Sequence, residues 1–410
     1  MNPILDDKYY VPDVEARPMP DGRLYLYGSW DVQGADCYCG KIHHCFSTED
    51  MVNYVDHGII FRNDASFYGV PWNHESDLYA PDAIEKDGKY YLYICGNHLE
   101  EGVAVADTPT GPFTVASRID IADGDSIDPT VLVDDDGTAY LFWGQFHLRG
   151  GRLLDDMKTL DKDSINTNIL NEQEHGFHEG ASIRKRNGKY YMVYTDISRG
   201  SATCLSYAMA DSPLGPYKKC GVIIDNVYCD PKSWNNHGSI TEYKGQWYVF
   251  YHRSTNNNGI SRRVCVEKIS FDENGLIAEV EQTSQGPEGP IDARRVIPAR
   301  CACRLMRSAY IITDQGREVV LSTGESHWGV PDFAEYKYID FGNGVEELTL
   351  RVKGKGKISA NIEGSVEIAA AEFDFKDYTA VTVKAKSITG VHPLWLNFTG
   401  EFSIMEFSFK

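Results

Sequence analysis

The sequence predicts an all-β protein in which a five-bladed β-propeller is followed by a C-terminal β-sandwich. Three observations predict this fold: helical patterns are scarce, a short aromatic strand unit occurs five times, and the C-terminal part carries its own alternating strands. Tyrosine is abundant, with 25 residues, and lies with Phe, Val and Ile in short runs bounded by Gly, Asn, Asp and Pro. Such runs are typical of strands.

The repeated unit is a turn glycine followed by an aromatic strand. Its five copies begin at Gly22, Gly88, Gly137, Gly188 and Gly245. The fourth copy carries Asn187-Gly188 between two strand-like runs, which is a strong hairpin signal because both turn residues need φ > 0. A β unit that recurs every ~40–50 residues is typical of a four-stranded propeller blade. Five copies predict five blades over residues 5–285; a sandwich with similar hairpins is the alternative.

A segment rich in glycine and proline ends this repeat at residues 286–290. Because these residues cannot continue a strand, the segment predicts a domain boundary. We therefore expect a propeller over residues 1–290 and a β-sandwich over residues 291–410. In the second block, runs such as 347–352 and 381–385 alternate apolar and polar residues, as sandwich strands do.

Charge and cysteine content restrict the partners and the location. The net charge of −20 argues against nucleic acids and anionic membranes, because both need a basic footprint. No run approaches the ~18 apolar residues of a membrane helix, and no secretory signal is visible. The ten cysteines fit neither a zinc nor a disulfide pattern, so they predict free thiols and a cytoplasmic location. No oligomeric state is predicted.

A polar residue recurs at nearly the same offset before each turn glycine. Asp13, Asp128 and Glu179 each stand nine residues before it, and Tyr79 occupies this offset in the second copy. His237 stands eight residues before the fifth glycine. In a propeller, the innermost strands all start at one end of the central channel, so equivalent positions converge. We expect these five side chains to surround one pocket, with Tyr79 contacting the substrate.

Clustered carboxylates are suited to one kind of chemistry. They raise one another's pKa, so at least one of them can stay protonated near neutral pH. Glycoside hydrolysis uses a protonated carboxylic acid beside an ionised carboxylate. Asp82 falls outside the aligned position, and we expect it to form hydrogen bonds within a loop. Residues 134–136 are expected to form a solvated turn.

Five motifs around these positions resemble those of glycoside hydrolase family 43. They are Asp13-Val-Glu-Ala-Arg, Tyr79-Ala-Pro-Asp-Ala, Ser126-Ile-Asp-Pro-Thr, Glu179-Gly-Ala-Ser-Ile and His237-Gly-Ser-Ile. The resemblance covers nearly all of residues 5–285. It implies an inverting hydrolase, exo-acting or endo-acting, of arabinose- or xylose-containing glycans.

The resemblance also implies a role for each acidic residue. Asp13 would be the general base that activates water, and Glu179 the general acid that protonates the leaving oxygen. Asp128 would raise the pKa of Glu179 and orient it. Inversion needs carboxyl groups ~6.5–9.5 Å apart, a gap that blades one and four can give. His237 would lie at the pocket floor and face a structural calcium through waters, or bond to Asp128 or water without a metal.

Sugar recognition needs flat apolar faces together with polar groups. Trp72, in a polar loop shortly before the second aligned position, is the first candidate for stacking on a sugar. Trp30 and Phe177 are the alternatives. Arg253 and Arg263 are candidates for binding sugar hydroxyls, or else they form structural ion pairs.

The predicted function is removal of terminal α-L-arabinofuranosyl or β-D-xylosyl residues from arabinoxylan- or xylan-derived oligosaccharides, with no cofactor required for the chemistry. The alternatives are an endo-1,5-α-L-arabinanase and a non-catalytic carbohydrate-binding propeller. The C-terminal block resembles a family 6 carbohydrate-binding module in outline, at residues 338–342 and 390–398. We expect it to be structural, because Trp395 alternates inward and few aromatics are left for a ligand.

Overall fold

The structure is a computed structural model, and strands dominate it. It describes the following residues: 1–73, 75–96, 100–121, 126–306, 308–324 and 332–410. Across these ranges no helix has the length and apolar character needed to cross a membrane. All ten cysteines fall within them and are unpaired.

Five antiparallel sheets follow one another along the first two thirds of the chain, and each connects consecutive strands. The first contains β1 (Glu15–Pro18), β2 (Leu24–Gly28), β3 (Ile42–Thr48) and β4 (Tyr54–Arg62). The second contains β5 (Asp82–Lys86), β6 (Lys89–Gly96), β7 (Glu100–Ala106) and β8 (Thr114–Arg118). The third contains β9 (Thr130–Val133), β10 (Ala139–Trp143), β11 (His147–Leu153) and β12 (Asn166–Asn171). The fourth contains β13 (Phe177–Arg186), β14 (Lys189–Asp196), β15 (Cys204–Ala210) and β16 (Lys218–Asp225). The fifth contains β17 (Ile240–Tyr243), β18 (Gln246–Thr255) and β19 (Asn258–Ile269).

The five sheets are the predicted blades, which confirms the propeller. Their first strands contact one another around the ring, from β1 through β5, β9, β13 and β17 and back to β1. A parallel bridge between Val14 and Gly238 joins the first and last blades. The N-terminal chain continues this closure, since the Ile4 backbone N donates to the Val264 carbonyl at 3.1 Å. The first residues of the chain thus complete the three-stranded fifth blade.

The repeated glycines occupy the turns between the first two strands of each blade. All five have φ between 74° and 83°, a left-handed conformation that favours glycine. In the fourth blade, Arg186 and Lys189 pair across the turn and Asn187 also has positive φ, 50°. This is the predicted two-residue Asn-Gly hairpin.

Paired charges occupy the contacts between the innermost strands. Arg17 Nε donates to Asp82 Oδ1 at 2.9 Å, and Arg184 Nη2 donates to Glu15 Oε2 at 2.6 Å. Asp82 also accepts from Thr130 Oγ1 at 3.0 Å, so it links the first three blades. Asp82 was expected to form hydrogen bonds within a loop. That expectation was wrong, because Asp82 is fully buried at the start of β5.

The C-terminal region is β-rich, as predicted, and its strands belong to one hydrogen-bonded sheet. The strands are β20 (Ile291–Asp292), β21 (Ile297–Pro298), β22 (Arg304–Met306), β23 (Ala309–Asp314), β24 (Arg317–Thr323), β25 (Asp332–Asp340), β26 (Glu347–Ile362), β27 (Val366–Lys384) and β28 (Val391–Phe409). Buried residues such as Leu348, Leu396 and Phe402 form one core. Likeness to a carbohydrate-binding module stays a prediction.

Helices are few and short in the described ranges. They are the α-helix α1 (Glu172–His175) and four 3₁₀ turns, Ala65–Phe67, Lys162–Ser164, Gly286–Glu288 and Ala299–Cys301.

Two arginines on the fifth blade connect the propeller to the C-terminal region. Arg263 Nη2 lies 2.8 Å from Glu318 Oε1, and both side chains are only 1% exposed. Arg253 Nη1 donates to the Ala302 carbonyl at 2.8 Å. Of the two roles considered for these arginines, the structure therefore favours structural pairing over contact with a sugar.

Candidate active site

A cavity of about 400 Å³ lies at the end of the propeller channel where the aligned residues converge. All five aligned residues line it: Asp13, Tyr79, Asp128, Glu179 and His237. The remaining lining residues are Tyr38, Cys39, Ala80, Gly96, Ser126, Ile127, Gln145, His178, Trp234, Asn235 and Arg262. We call this cavity the cleft. The equal offsets in the sequence thus bring together residues that lie more than a hundred positions apart.

Unusual backbone conformations place the acidic residues at the cleft. Asp13 and Asp128 have φ of 57° and 55°, in the left-handed region that costs a non-glycine residue ~1–2 kcal/mol. The residue after Glu179 is Gly180, with φ of 65°. A Cβ on Gly180 would lie 2.8 Å from the His237 ring, so glycine permits this close approach. Such strain is typical of functional sites.

Asp13 is buried and surrounded by nitrogen donors. Its Oδ1 lies 2.8 Å from Arg262 Nη1, 3.3 Å from His252 Nδ1 and 3.7 Å from His237 Nδ1. Burial works to raise the pKa of Asp13, but the Arg262 charge and the two imidazoles outweigh it and hold that pKa well below its ordinary value. Asp13 is therefore ionised at neutral pH.

Arg262 is itself fixed by a second buried carboxylate. Its Nε and Nη2 donate to the two oxygens of Asp31, each at 2.9 Å. This bidentate pair sets the direction of the guanidinium toward Asp13. Neither residue was predicted from the sequence; the prediction fell on the neighbour of Arg262, Arg263. Alternation along β19 was the available signal, because adjacent strand residues face opposite sides and one arginine of the pair therefore points inward.

Asp128 and Glu179 form the other half of the cleft. Asp128 is 5% exposed, and its Oδ2 accepts from the Gly180 backbone N at 3.1 Å. Burial, followed by the negative charges of Glu179 and Asp13, raises the pKa of Asp128 well above its ordinary value. Glu179 is half-buried, and its Oε2 accepts from Gln145 Nε2 at 2.7 Å. The pKa of the buried carboxyl group is therefore raised in this half and lowered in the Asp13 half.

His237 lies between the two halves. Its Nδ1 is 3.7 Å from Asp13 Oδ1 and 3.9 Å from Asp128 Oδ2. Burial lowers the pKa of His237 to about 4, against the opposing charge of Asp13, so the ring is neutral at pH 7. The His237 ring therefore brings no positive charge to Asp13 at that pH, whereas Arg262 does.

The predicted calcium would be reached from His237 through waters, and this contact stays a prediction. Direct ligation of calcium needs six to eight oxygen ligands. Within the described ranges there is no group of three or more His, Cys, Asp or Glu side chains suited to a metal. Of the two carboxyl groups beside His237, those of Asp13 and Asp128, the first is already neutralised by the Arg262 guanidinium. The residues present do not fit a directly bound calcium.

The three aromatic residues predicted to stack on sugar lie outside the cleft lining, and that prediction was wrong. Trp72 is 6% exposed and packs against Gly102 in the core between the first two blades. Phe177 is fully buried in the core between the third and fourth blades, where it packs against other aromatic residues. Trp30 stacks on His44, with ring centroids 4.9 Å apart. These rings pack into the cores between blades, because their burial removes a large apolar area from water.

Trp234 and Tyr38 line the cleft together with the aligned Tyr79. Trp234 is 52% exposed, and the Arg262 guanidinium lies 4.8 Å from the Tyr38 ring centroid. Trp234 belongs to the polar loop 229–236, directly before His237. Trp234 shares with Trp72 the signal used for the prediction, because each is a tryptophan in a polar loop before an aligned position.

The fold and the cleft together define a class of protein. A β-propeller with three carboxyl groups at its channel mouth, one of them ionised and one with a raised pKa, has the equipment of an acid–base glycosidase. The sequence matches the model of glycosyl hydrolases family 43 over residues 1–277. The chain therefore belongs to glycoside hydrolase family 43.

Characterised relatives agree with this assignment. A xylosidase/arabinosidase from Thermoclostridium stercorarium is 31% identical over 448 aligned positions, covering 98% of this chain and 88% of that protein. A β-xylosidase from Xylanibacter ruminicola is 33% identical, covering 67% of this chain and 99% of its own length.

Solved structures extend the comparison to the fold. A family 43 β-xylosidase/α-arabinofuranosidase from a compost microbial metagenome, in a calcium-free form with xylotriose, is 28% identical with a TM-score of 0.59. It covers 68% of this chain and 97% of its own. An arabinoxylan arabinofuranohydrolase from Bacillus subtilis covers 100% of this chain and 97% of its own, with a TM-score of 0.57. At 22% identity, this second match concerns the fold alone.

Proposed function

We propose that this protein is an inverting, exo-acting glycosidase that removes terminal α-L-arabinofuranosyl or β-D-xylosyl residues from arabinoxylan- or xylan-derived oligosaccharides. One observation carries the proposal: the cleft pairs Asp13, which Arg262 contacts at 2.8 Å, with the carboxyl groups of Asp128 and Glu179, of which Asp128 has a raised pKa. The relatives' activities on xylosides and arabinosides support the choice of sugar.

In this proposal Asp13 is the general base. Arg262, His252 and His237 all approach its Oδ1. Among the contacts within the described part of the chain, Oδ2 is thus left to take the proton of the attacking water. Because the charge of Arg262 lowers the pKa of Asp13 well below its ordinary value, the carboxylate is ionised at neutral pH, the form that a general base needs.

Glu179 is the general acid, and Asp128 is its positioning partner. Gln145 fixes one oxygen of Glu179, and the bond from Gly180 to Asp128 ties the peptide after Glu179 to the second carboxyl. Burial and the neighbouring negative charges raise the pKa of Asp128 well above its ordinary value, which favours a shared proton in this pair. Glu179 is the more exposed of the two, so it is the group that can reach the leaving oxygen. No metal takes part in these steps.

The size of the cleft supports action at a chain end. Its volume of about 400 Å³ is near the lower limit for small-molecule sites, which span ~300–1,000 Å³. Such a space suits one terminal sugar better than the interior of a polymer. The ten unpaired thiols favour the predicted cytoplasmic location, in which the substrates would be imported oligosaccharides.

The test is turnover of nitrophenyl α-L-arabinofuranoside, nitrophenyl β-D-xylopyranoside and a xylo-disaccharide by wild type and Glu179→Ala. We expect wild-type turnover, strong loss on the disaccharide in the variant, and an inverted anomer as the first product by NMR. Glu242→Ala, an exposed acid on β17 outside the cleft, is the control and is expected to match wild type. Equal turnover of the disaccharide by wild type and Glu179→Ala, or no turnover of any pentoside by wild type, would contradict the proposal. Release of internal fragments from linear arabinan would favour the endo-acting alternative.

A further inference from the structure

The polar loop 229–236 presents Trp234 to the cleft, and its two ends are anchored to different parts of the molecule. The end that leads to β17 is held inside the propeller. There the Asn235 carbonyl accepts from Asn226 Nδ2 at 2.9 Å, and a parallel bridge joins Asn235 to Ala202. Trp234 itself is 52% exposed, so its position at the cleft depends on how the loop is anchored.

Asp230 anchors the other end of this loop. Its side chain is buried, with 1% exposed, and it accepts from the backbone N of Lys232 at 3.3 Å and of Asn257 at 3.4 Å. The backbone of Ile311, on β23, bonds to the same carboxylate. Three segments therefore meet at one side chain: loop 229–236, the turn between β18 and β19, and a strand of the C-terminal region.

The C-terminal region also contacts the residue just before the loop. The backbone N of Leu305, on β22, donates to the Tyr228 carbonyl at 2.8 Å. One end of the loop is thus attached to the C-terminal region and the other to the propeller. Only four positions separate Asp230 from Trp234, so a displacement of the first is transmitted to the second.

The charge state of Asp230 decides the strength of this anchor. Burial raises the pKa of Asp230 to about 7, and the negative charge of Glu318 adds to the rise, against the bonds from the backbone. Glu318 is itself paired with Arg263. The other titratable groups beside Asp230 are the Cys229 thiol and Lys232, whose side chain is exposed. An ionised carboxylate accepts at both oxygens, whereas protonation turns one oxygen into a donor and weakens the anchor.

We propose that Asp230 is a positioning residue for the cleft: its carboxylate ties loop 229–236 to the C-terminal region and so fixes the face that Trp234 presents to the terminal sugar. This inference rests on the proposed function. It gives the C-terminal region a part in substrate binding, although none of its described residues lines the cleft. Because protonation weakens the anchor, substrate binding should weaken as the pH falls through neutrality.

The first test is the pH dependence of KM for wild type, Asp230→Asn and Asp230→Ala, on the nitrophenyl pentoside that wild type turns over faster. Asparagine keeps the size of the side chain and, like the protonated acid, has one acceptor oxygen. At about pH 8 we expect its KM to be about three- to tenfold above wild type, with kcat less changed, because hydrogen bonds to an ionised group are the stronger ones. At about pH 6, where wild type is itself protonated, the two KM values should agree within about twofold. Asp230→Ala should have a raised KM at both pH values.

Asp156→Ala is the matched control. Asp156 accepts from the backbone N of Lys158 and of Thr159, each at 2.9 Å, in a loop of the third blade outside the cleft lining. This variant loses a similar loop anchor and should keep the wild-type KM at both pH values. Equal KM values for wild type and Asp230→Asn at about pH 8, or an equal rise in the control, would overturn the inference.

Acrylamide quenching of Trp234 fluorescence separates this inference from the proposed function, because it needs no turnover. The Trp234 signal is the difference between each protein and its Trp234→Phe counterpart. In wild type, quenching should increase between about pH 8 and about pH 6, whereas Asp230→Asn should show the higher value throughout. Equal quenching of the two proteins at the higher pH would overturn the inference. The expected quenching without turnover of any pentoside by wild type would instead count against the proposed function.

Discussion

The two halves of the cleft hold their carboxyl groups in opposite ways. Asp13 is buried, is contacted by Arg262 and two histidines, and has a lowered pKa. Glu179 is half-buried and accepts a hydrogen bond from Gln145, while the pKa of its buried neighbour Asp128 is raised. The difference teaches how one fold supplies both a base and an acid at the same pH: a fixed cation on one side, and a crowded anionic pair on the other.

The largest expected effect comes from removing each carboxylate separately. Asp13→Asn and Glu179→Gln should each reduce kcat on a xylo-disaccharide by about 10²–10⁴-fold, the range for general acid–base catalysis. A nitrophenolate leaves without protonation, so Glu179→Gln should retain at least tenfold more of its activity on the nitrophenyl glycoside than on the disaccharide. Asp13→Asn should show no such difference. Steady-state kinetics on both substrates check this, and the reverse pattern would exchange the two roles.

Arg262→Met tests the rigidity of the base side. The substitution leaves Asp13 and Asp31 buried without their shared cation, so we expect the free energy of unfolding to fall by about 3–5 kcal/mol. Arg199→Met is the matched control, because Arg199 pairs with Glu279 at the surface and its loss should cost at most about 1 kcal/mol. Urea denaturation measures both. Similar losses in the two variants would show that the buried cation does not hold the base side together.

Asp128→Asn tests the raised pKa on the acid side through the pH dependence of stability. Between the unfolded and the folded pKa of Asp128, the native state binds the proton and the unfolded state does not, so wild-type stability falls as pH rises through that window. Asparagine cannot ionise and still accepts from the Gly180 N. The variant should therefore gain on wild type by up to about 1.4 kcal/mol per pH unit across the window above pH ~4. Thermal unfolding at several pH values checks this, and a constant difference would contradict it.

The smallest effect is expected from Gln145→Ala. The substitution removes the hydrogen bond that orients Glu179, which is worth about 0.5–1.5 kcal/mol, so kcat should fall about two- to tenfold. Stability should change little because the site is half-exposed. Parallel kinetics and thermal unfolding separate the two quantities. A large loss of stability would mean that the acid side is as rigid as the base side.

The ring of blades could be predicted because it repeats. Each copy carries the same turn glycine with positive φ, and one backbone geometry imposes one spacing on every blade. The same regularity indicated the convergence of Asp13, Asp128 and Glu179, since an offset from a fixed turn becomes a position on the ring. Local sequence therefore carried this long-range information.

The surroundings of the carboxylates could not be predicted in the same way. Trp72 and Trp234 both lie in polar loops before an aligned position, yet one is buried between blades and the other is exposed at the cleft. Arg262 and Arg263 are adjacent on one strand, and their roles depend on which face of β19 turns inward. The positions of these tryptophans and arginines depend on packing between blades, and no repeated sequence pattern marks that packing.

The contact between Arg263 and Glu318 has a consequence for how the molecule unfolds. Both charges are buried, and separating the C-terminal region would leave the Arg263 cation inside the propeller without its carboxylate. The two regions therefore share their stability, and neither should melt before the other. Scanning calorimetry should show a single heat-absorption peak that splits in Glu318→Gln. Two separate peaks in the wild type would show that the regions are thermodynamically independent.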